Sequence, residues 1–250
     1  MAGVFHVLLA IAVFIVGHFQ LLPGTFDTQG IGLFAVDGGV YRDIASTLAD
    51  RLRVADFSGW LQIQAPFHVR LYSLTFLFPG VFVGHNVLAA EPLNVAYYLG
   101  VLALVYRIAK ELFGSKSGLL AAALIAVWPS FMMHSIHLLR DTLAILLILA
   151  VIWIFIITLN RELTWRSSLT ITLQGWLFLA LFWLTRGNMW NLILLALPLT
   201  ALLLLIRLLL DRKIRYLNVA VLGALIVAAL VVPPKMQNTG LGPARFVSPL

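Results

Sequence analysis

The chain has 250 residues, 62% of them hydrophobic and 11% charged, with a mean hydropathy of +1.00. Soluble domains carry about 25% charged residues, so most of this chain cannot face water. It has no cysteine, which excludes a disulfide scaffold, and its net charge of +7 sits in short loops between apolar runs, where anionic headgroups explain it better than nucleic acid.

Residues 5–22 form the first apolar run. It contains no Lys or Arg and no small-x-small site follows it, so it is expected to be an uncleaved span, not a signal peptide. The polar stretch 23–67 comes next and holds Asp37, Asp43, Asp50 and Asp56. Within it, residues 39–53 predict a helix lying on the membrane, with an apolar face of Val40, Ile44, Leu48 and Leu52. The apolar segment 67–84 is shorter, is interrupted by Pro79-Gly80, and is expected to be interfacial. Runs at 93–108, 118–133, 142–159, 169–184, 190–210 and 217–232 bring the expected spans to about seven. Their interiors hold few charges and no evident broken-helix pair. The expected fold is therefore all-α: one multi-pass transmembrane helical bundle over 1–250, with an external loop at 23–91 carrying interfacial helices and an external tail at 233–250.

Sidedness follows from charge. If 67–84 stays in the interface, the loops around Arg107/Lys110/Lys116, Arg161/Arg166 and Arg207/Arg212/Lys213/Arg215 share one side, expected to be the cytoplasm. The N-terminus is then cytoplasmic and the long loop external. The short loops on the external side hold only Arg140 and Arg186.

Three places could carry chemistry. Asp37, in Val36-Asp37-Gly38-Gly39-Val40-Tyr41, offers a carboxylate just before the loop helix, able to ligate a divalent cation or take a proton, with Tyr41 one turn on. Capping of that helix is the plainer account. Arg140-Asp141 lies in a short external turn, where charges near hydrocarbon are costly unless paired or functional; capping by Asp141 and snorkelling by Arg140 would also explain them. Nearby, His134 and His137 have a spacing that suits a metal but more often marks interfacial residues. Arg186, in Thr185-Arg186-Gly187, is a ready partner for a phosphate or else an anchor. No Walker loop, HExxH or GxSxG string occurs, which excludes the soluble-enzyme templates those strings mark.

The order of these features resembles the GT-C superfamily of membrane glycosyltransferases, which includes protein O-mannosyltransferases, the lipid A aminoarabinose transferase and bacterial oligosaccharyltransferase. The stretch from Val36-Asp37 to Ala45 resembles the family's acidic external loop, and 65–84 its external amphipathic helix. Residues 104–123 resemble two spans around a short basic turn. Trp128-Pro129-Ser130 with Arg140-Asp141 is similar to the segment of the second acidic residue, and Thr185-Arg186-Gly187 to a Thr-Lys-Gly string of the aminoarabinose and mannosyl branches. Family members are usually longer, so the resemblance is to their N-terminal half.

The resemblance implies a polyprenyl-phosphate-linked sugar as donor, a lipid, glycan or protein acceptor, and action at the external face of the plasma (inner) membrane. Asp37 and Asp141 would be catalytic, with a divalent Mg or Mn ion as a possible shared ligand. Tyr41, Arg140 and Arg186 would bind substrate, Arg186 neutralising the departing lipid phosphate. A lipid or solute transporter (a flippase) and a non-catalytic membrane subunit are the alternatives the residues leave open.

Overall fold

The computed structural model describes residues 1–32, 36–211 and 215–237. Arg212, Lys213 and the expected tail beyond residue 237 lie outside the described residues. Among the described residues the ordered backbone is helical, and one isolated bridge between Phe26 and Gly32 is the extent of strand pairing. Helix α1 (Ala2–His18) leads into a cap of shorter helices: α2 (Val36–Arg53), α3 (Phe57–Gln62), α4 (Phe67–Leu77) and α5 (Gly80–Val83). The long helices follow: α6 (Val87–Phe113), α7 (Ser115–Ala126), α8 (Pro129–Ile136), α9 (Arg140–Asn160), α10 (Trp165–Arg186), α11 (Trp190–Asp211) and α12 (Tyr216–Gln237).

Local sequence explains their ends. The Asn86 side chain accepts the backbone N–H groups of Leu88 and Ala89, which starts α6 six residues before its most apolar stretch. The expected loop therefore ends at residue 86 and not 91, because a good cap outweighs the polarity of Glu91 and Asn94. Gly114, at φ +90°, stops α6 and lets the chain reverse. The return is tight: a β-carbon on Gly118 would stand 2.8 Å from the Tyr106 carbonyl, so α6 and α7 meet backbone to backbone. Thr164 and Ser167 form a reciprocal capping box that starts α10.

Four helical stretches are long and apolar enough to cross a membrane, or five if the bent pair α7 and α8 is one span; α1, at 17 residues, is shorter. One of the four, Trp165–Leu210, is 46 residues long. Run straight at 1.5 Å per residue it would reach about 70 Å, more than twice a hydrocarbon core of roughly 30 Å. It turns back instead at Gly187–Met189: Arg207, near the end of α11, donates to the Leu159 carbonyl at 2.6 Å and to Asn160 Oδ1 at 2.8 Å, beside the start of α10. Seven crossings would need both arms of this hairpin, the bent pair and the shorter α1 each to cross.

One expectation about the span interiors, that no helix pair is broken, is corrected. Helices α7 and α8 are a bent pair, turned by 62° at the break between them. Pro129 has no N–H to continue α7 and pushes Trp128 out of helical conformation, and the Tyr98 hydroxyl takes the freed Ala126 carbonyl at 2.8 Å. The interior also holds a polar network. Fully buried His6 of α1 lies 2.6 Å from Glu91 Oε1 through Nδ1 and 2.8 Å from Ser135 Oγ through Nε2.

The cap is also packed differently from expectation. The face of α2 that turns inward is Tyr41, Ala45, Leu48 and Ala49, while Val40 is 44% exposed. A strict four-residue repeat drifts about 40° per step on a 100° helix, so the Val40–Leu52 row winds around the cylinder. Small Ala45 and Ala49 instead allow close approach to α4. That helix is an inner element, with Val69, Tyr72 and Phe76 fully buried between α2 and α6. Within the cap, Phe57, Leu61, Phe78 and Phe82 are exposed, as are many large apolar side chains of the long helices.

The long helices pack around one core of α9, α10, α11 and α12, joined by Tyr97 of α6. Their ends sort the charges. At one end Arg161 pairs with Glu111 at 2.6 Å, and Asn218 donates to the Thr158 and Arg161 carbonyls. Arg207 joins them there. The opposite end carries the cap and the turns at 137–139 and 187–189.

Candidate functional site

Five residues were expected to meet at that opposite end. Asp37 stands in the first turn of α2 with its side chain exposed, and Tyr41 Oη donates to Asp37 Oδ2 at a long 3.4 Å. Four residues of helix put Tyr41 directly over Asp37 on the same side. Burial raises the Tyr41 phenol above its ordinary pKa, with the Arg140 charge opposing, so the hydroxyl keeps its proton and remains a donor.

Asp141 and Arg186, 45 residues apart, form an ion pair. The plainer account of Asp141, a helix cap, is corrected. Asp141 makes no side-chain cap on α9; it sits in that helix's first turn, where the helix dipole favours an anion, and accepts from Arg186. Arg186 ends α10 with its side chain largely covered, its second donor nitrogen turned to Met189 Sδ at 3.3 Å. Arg140 opens α9, and its charge acts on both Tyr41 and His68. Leu138, fully buried, ties this turn to α2 and α4.

A groove of about 580 Å³ runs from the ion pair along α8, α9 and α11. Asp141, Thr142 and Arg186 line it together with Ser130 and His134, and Trp128, Phe131, Ile145, Ile148 and Leu192 make its walls mostly apolar. Trp128 and Leu192 are each more than half exposed, so the groove opens sideways, where lipid would lie. Asp37 is not among its lining residues; it contacts Tyr41, whose ring meets that of His68.

His68 is the residue that sequence reasoning missed. It is 1% exposed on α4, its ring meets the Tyr41 ring edge-on with centroids 4.6 Å apart, and both nitrogens lack a partner among the described residues. A single histidine in a segment read as interfacial carries no spacing signal, and only the packing of α4 against α2 and α10 reveals it. Burial, then the Arg140 and Arg186 charges, pushes its pKa down to about 3, so the imidazole is neutral. The unfolded chain takes up this proton below about 6.5 and the folded chain only near 3, so stability is full at neutral pH and falls with acid. At pH 5 this group should cost about 2 kcal/mol relative to neutral pH. His68→Phe should remove that share, which unfolding in detergent at pH 7 and pH 5 would show.

The His134/His137 metal pairing does not form. Helix α8 ends at Ile136, so His137 leaves the helical face and packs, buried, beside Phe26, while His134 Nδ1 donates to the Ser130 carbonyl at 2.7 Å. Among the described residues no three His, Asp or Glu side chains gather as a metal cluster. Of the two carboxylates expected to share an ion, Asp141 lines the groove and Asp37 does not.

A family model, oligosaccharyl transferase STT3, N-terminal, matches residues 95–246, more than half of the chain. The chain belongs to the STT3 oligosaccharyl transferase family. The STT3 match covers α9, α10 and the Asp141–Arg186 pair, and begins after α2 and α4, so Asp37, Tyr41 and His68 lie outside it. STT3 membership makes this a membrane glycosyltransferase domain of the GT-C type, within the oligosaccharyl branch of the superfamily. The match does not extend to the mannosyl and aminoarabinose branches suggested by Thr185-Arg186-Gly187. No curated protein and no solved structure matches the chain.

Proposed function

We propose that the chain moves a sugar, or a chain of sugars, from a polyprenyl-phosphate-linked donor to an acceptor at the external face of the membrane. The observation that carries this reading is the groove: mostly apolar walls open to lipid, with an Arg–Asp pair in the lining. A prenyl chain would lie along the walls, its phosphate at Arg186. As the bond between sugar and phosphate breaks, negative charge builds on the phosphate, and a fixed guanidinium stabilises it there. Asp37 would take the proton of the attacking acceptor group, with Tyr41 orienting its carboxylate and Asp141 holding Arg186 in place. A divalent ion such as Mg or Mn, held by Asp37 and Asp141, would add positive charge beside the phosphate. The family name points to oligosaccharide as the transferred group and leaves lipid, glycan and protein as acceptor classes.

The bent pair α7–α8 is the feature that favours a transporter instead, since transporters place such breaks at their binding sites. Here Tyr98 caps the break and α8 leads to the turn of Arg140, which suits a rigid wall. Liposomes containing the chain and a polyprenyl-phosphate-linked labelled sugar separate the two readings. Transfer of label to an added acceptor is the expected result. Movement of intact labelled lipid across the bilayer without transfer would overturn the proposal.

A further inference from the structure

Buried polar groups in folded proteins nearly always find a hydrogen bond. His6 shows the rule in this bundle, with both nitrogens engaged. His68 breaks it at both nitrogens, Thr142 breaks it at Oγ1, and both residues are 1% exposed. Arg186 is a third such residue, through its buried Nε. Others, at Tyr97 Oη, Ser168 Oγ and Trp183 Nε1, are scattered through the bundle, but these three residues belong to elements that meet. Thr142 and Arg186 line the same groove, and His68 stands on α4, which packs against α10, the helix that ends at Arg186.

We propose that His68 and Thr142 are ligand-binding residues which, with Arg186, hold the phosphate of the lipid-linked donor; this rests on the reading given under Proposed function. The chemistry of the unpaired atoms selects the ligand. A hydroxyl, a guanidinium Nε–H and the single N–H of a neutral imidazole are donors, and phosphate oxygens accept from them; the other imidazole nitrogen is an acceptor that phosphate does not serve. Arg140 and Arg186 already supply positive charge, so a neutral imidazole adds a directed hydrogen bond without a third cation. If the roles were purely structural, apolar side chains of similar shape would serve better at both positions, because they leave nothing buried and unpaired.

That contrast defines the experiment. Binding of a sugar-free polyprenyl monophosphate to the full chain in nanodiscs is compared with binding of the matching polyprenol and of inorganic phosphate. Wild type should prefer the monophosphate to polyprenol by at least about tenfold, the scale of hydrogen bonds to a charged group. His68→Phe and Thr142→Val should each weaken monophosphate binding about tenfold, leave polyprenol binding unchanged, and unfold at the same temperature as wild type or higher. His68→Gln, which restores a donor, should recover part of the affinity. Monophosphate affinity within twofold of wild type in both variants would overturn the inference and leave the donor reading intact. Failure of wild type to distinguish monophosphate from polyprenol would sink the donor reading itself. Inorganic phosphate binding as tightly as the lipid phosphate would overturn the lipid assignment. Should His68→Phe fail to fold, Thr142→Val carries the same comparison.

Discussion

Asp37→Asn should lower sugar transfer by at least about a hundredfold while leaving the fold and its melting temperature unchanged. A positioned general base contributes about 10² to 10⁴ in rate, and an amide of the same shape cannot accept the proton. The fold should survive because Asp37 is exposed and its hydrogen bond from Tyr41 is long. Exposed substitutions away from caps and cores usually change stability by less than about 0.5 kcal/mol. Tyr41→Phe should cost less activity, since it removes only the donor that orients Asp37. A purified Asp37→Asn protein that transfers sugar at the wild-type rate would remove Asp37 from the chemistry.

The second large effect is expected at Arg186. Arg186→Ala removes the cation that the departing phosphate needs, and transfer should fall by about 10² to 10³. The loss should appear mainly in kcat, because the charge being neutralised grows as the bond breaks. Lysine should restore only part of it: an ammonium is a point charge, whereas the guanidinium can hold Asp141 and still present Nε. Stability should change little. Arg186 is largely covered but Asp141 is 38% exposed, so solvent screens the pair from one side and it is worth about 1 kcal/mol. A double cycle with Asp141→Ala separates the two roles: coupling in activity well above coupling in stability supports the site, and equal coupling indicates a structural bridge.

Hydropathy placed the later helices well, because each is long, apolar and bounded by charge. The runs expected at 142–159, 169–184 and 217–232 fall inside α9, α10 and α12, and that at 190–210 matches α11 within a residue. It failed where local chemistry overrides apolarity. The Asn86 cap drew α6 into the expected loop, and Pro129 split the run at 118–133 into two helices. The site was half legible. Asp37, Tyr41, Arg140, Asp141 and Arg186 could each be singled out as polar residues near hydrocarbon, and loop charge put them at one end. Their partners were not legible. The Asp141–Arg186 pair joins two helices 45 residues apart, and His68 acquires meaning only when α4 packs under α2 and beside α10. Such contacts depend on how helices cross, which no single segment encodes.

Everything in the proposed chemistry requires the cap and the Arg186 turn to open on one face of the membrane, opposite the basic loops. The chain has no cysteine, so single cysteines can be placed at exposed Asp43, Asn188 and Lys116 without background. An impermeant maleimide applied to intact cells should label the first two and spare Lys116→Cys until the membrane is opened. Labelling of Asp43→Cys and Asn188→Cys from different faces would contradict the account outright.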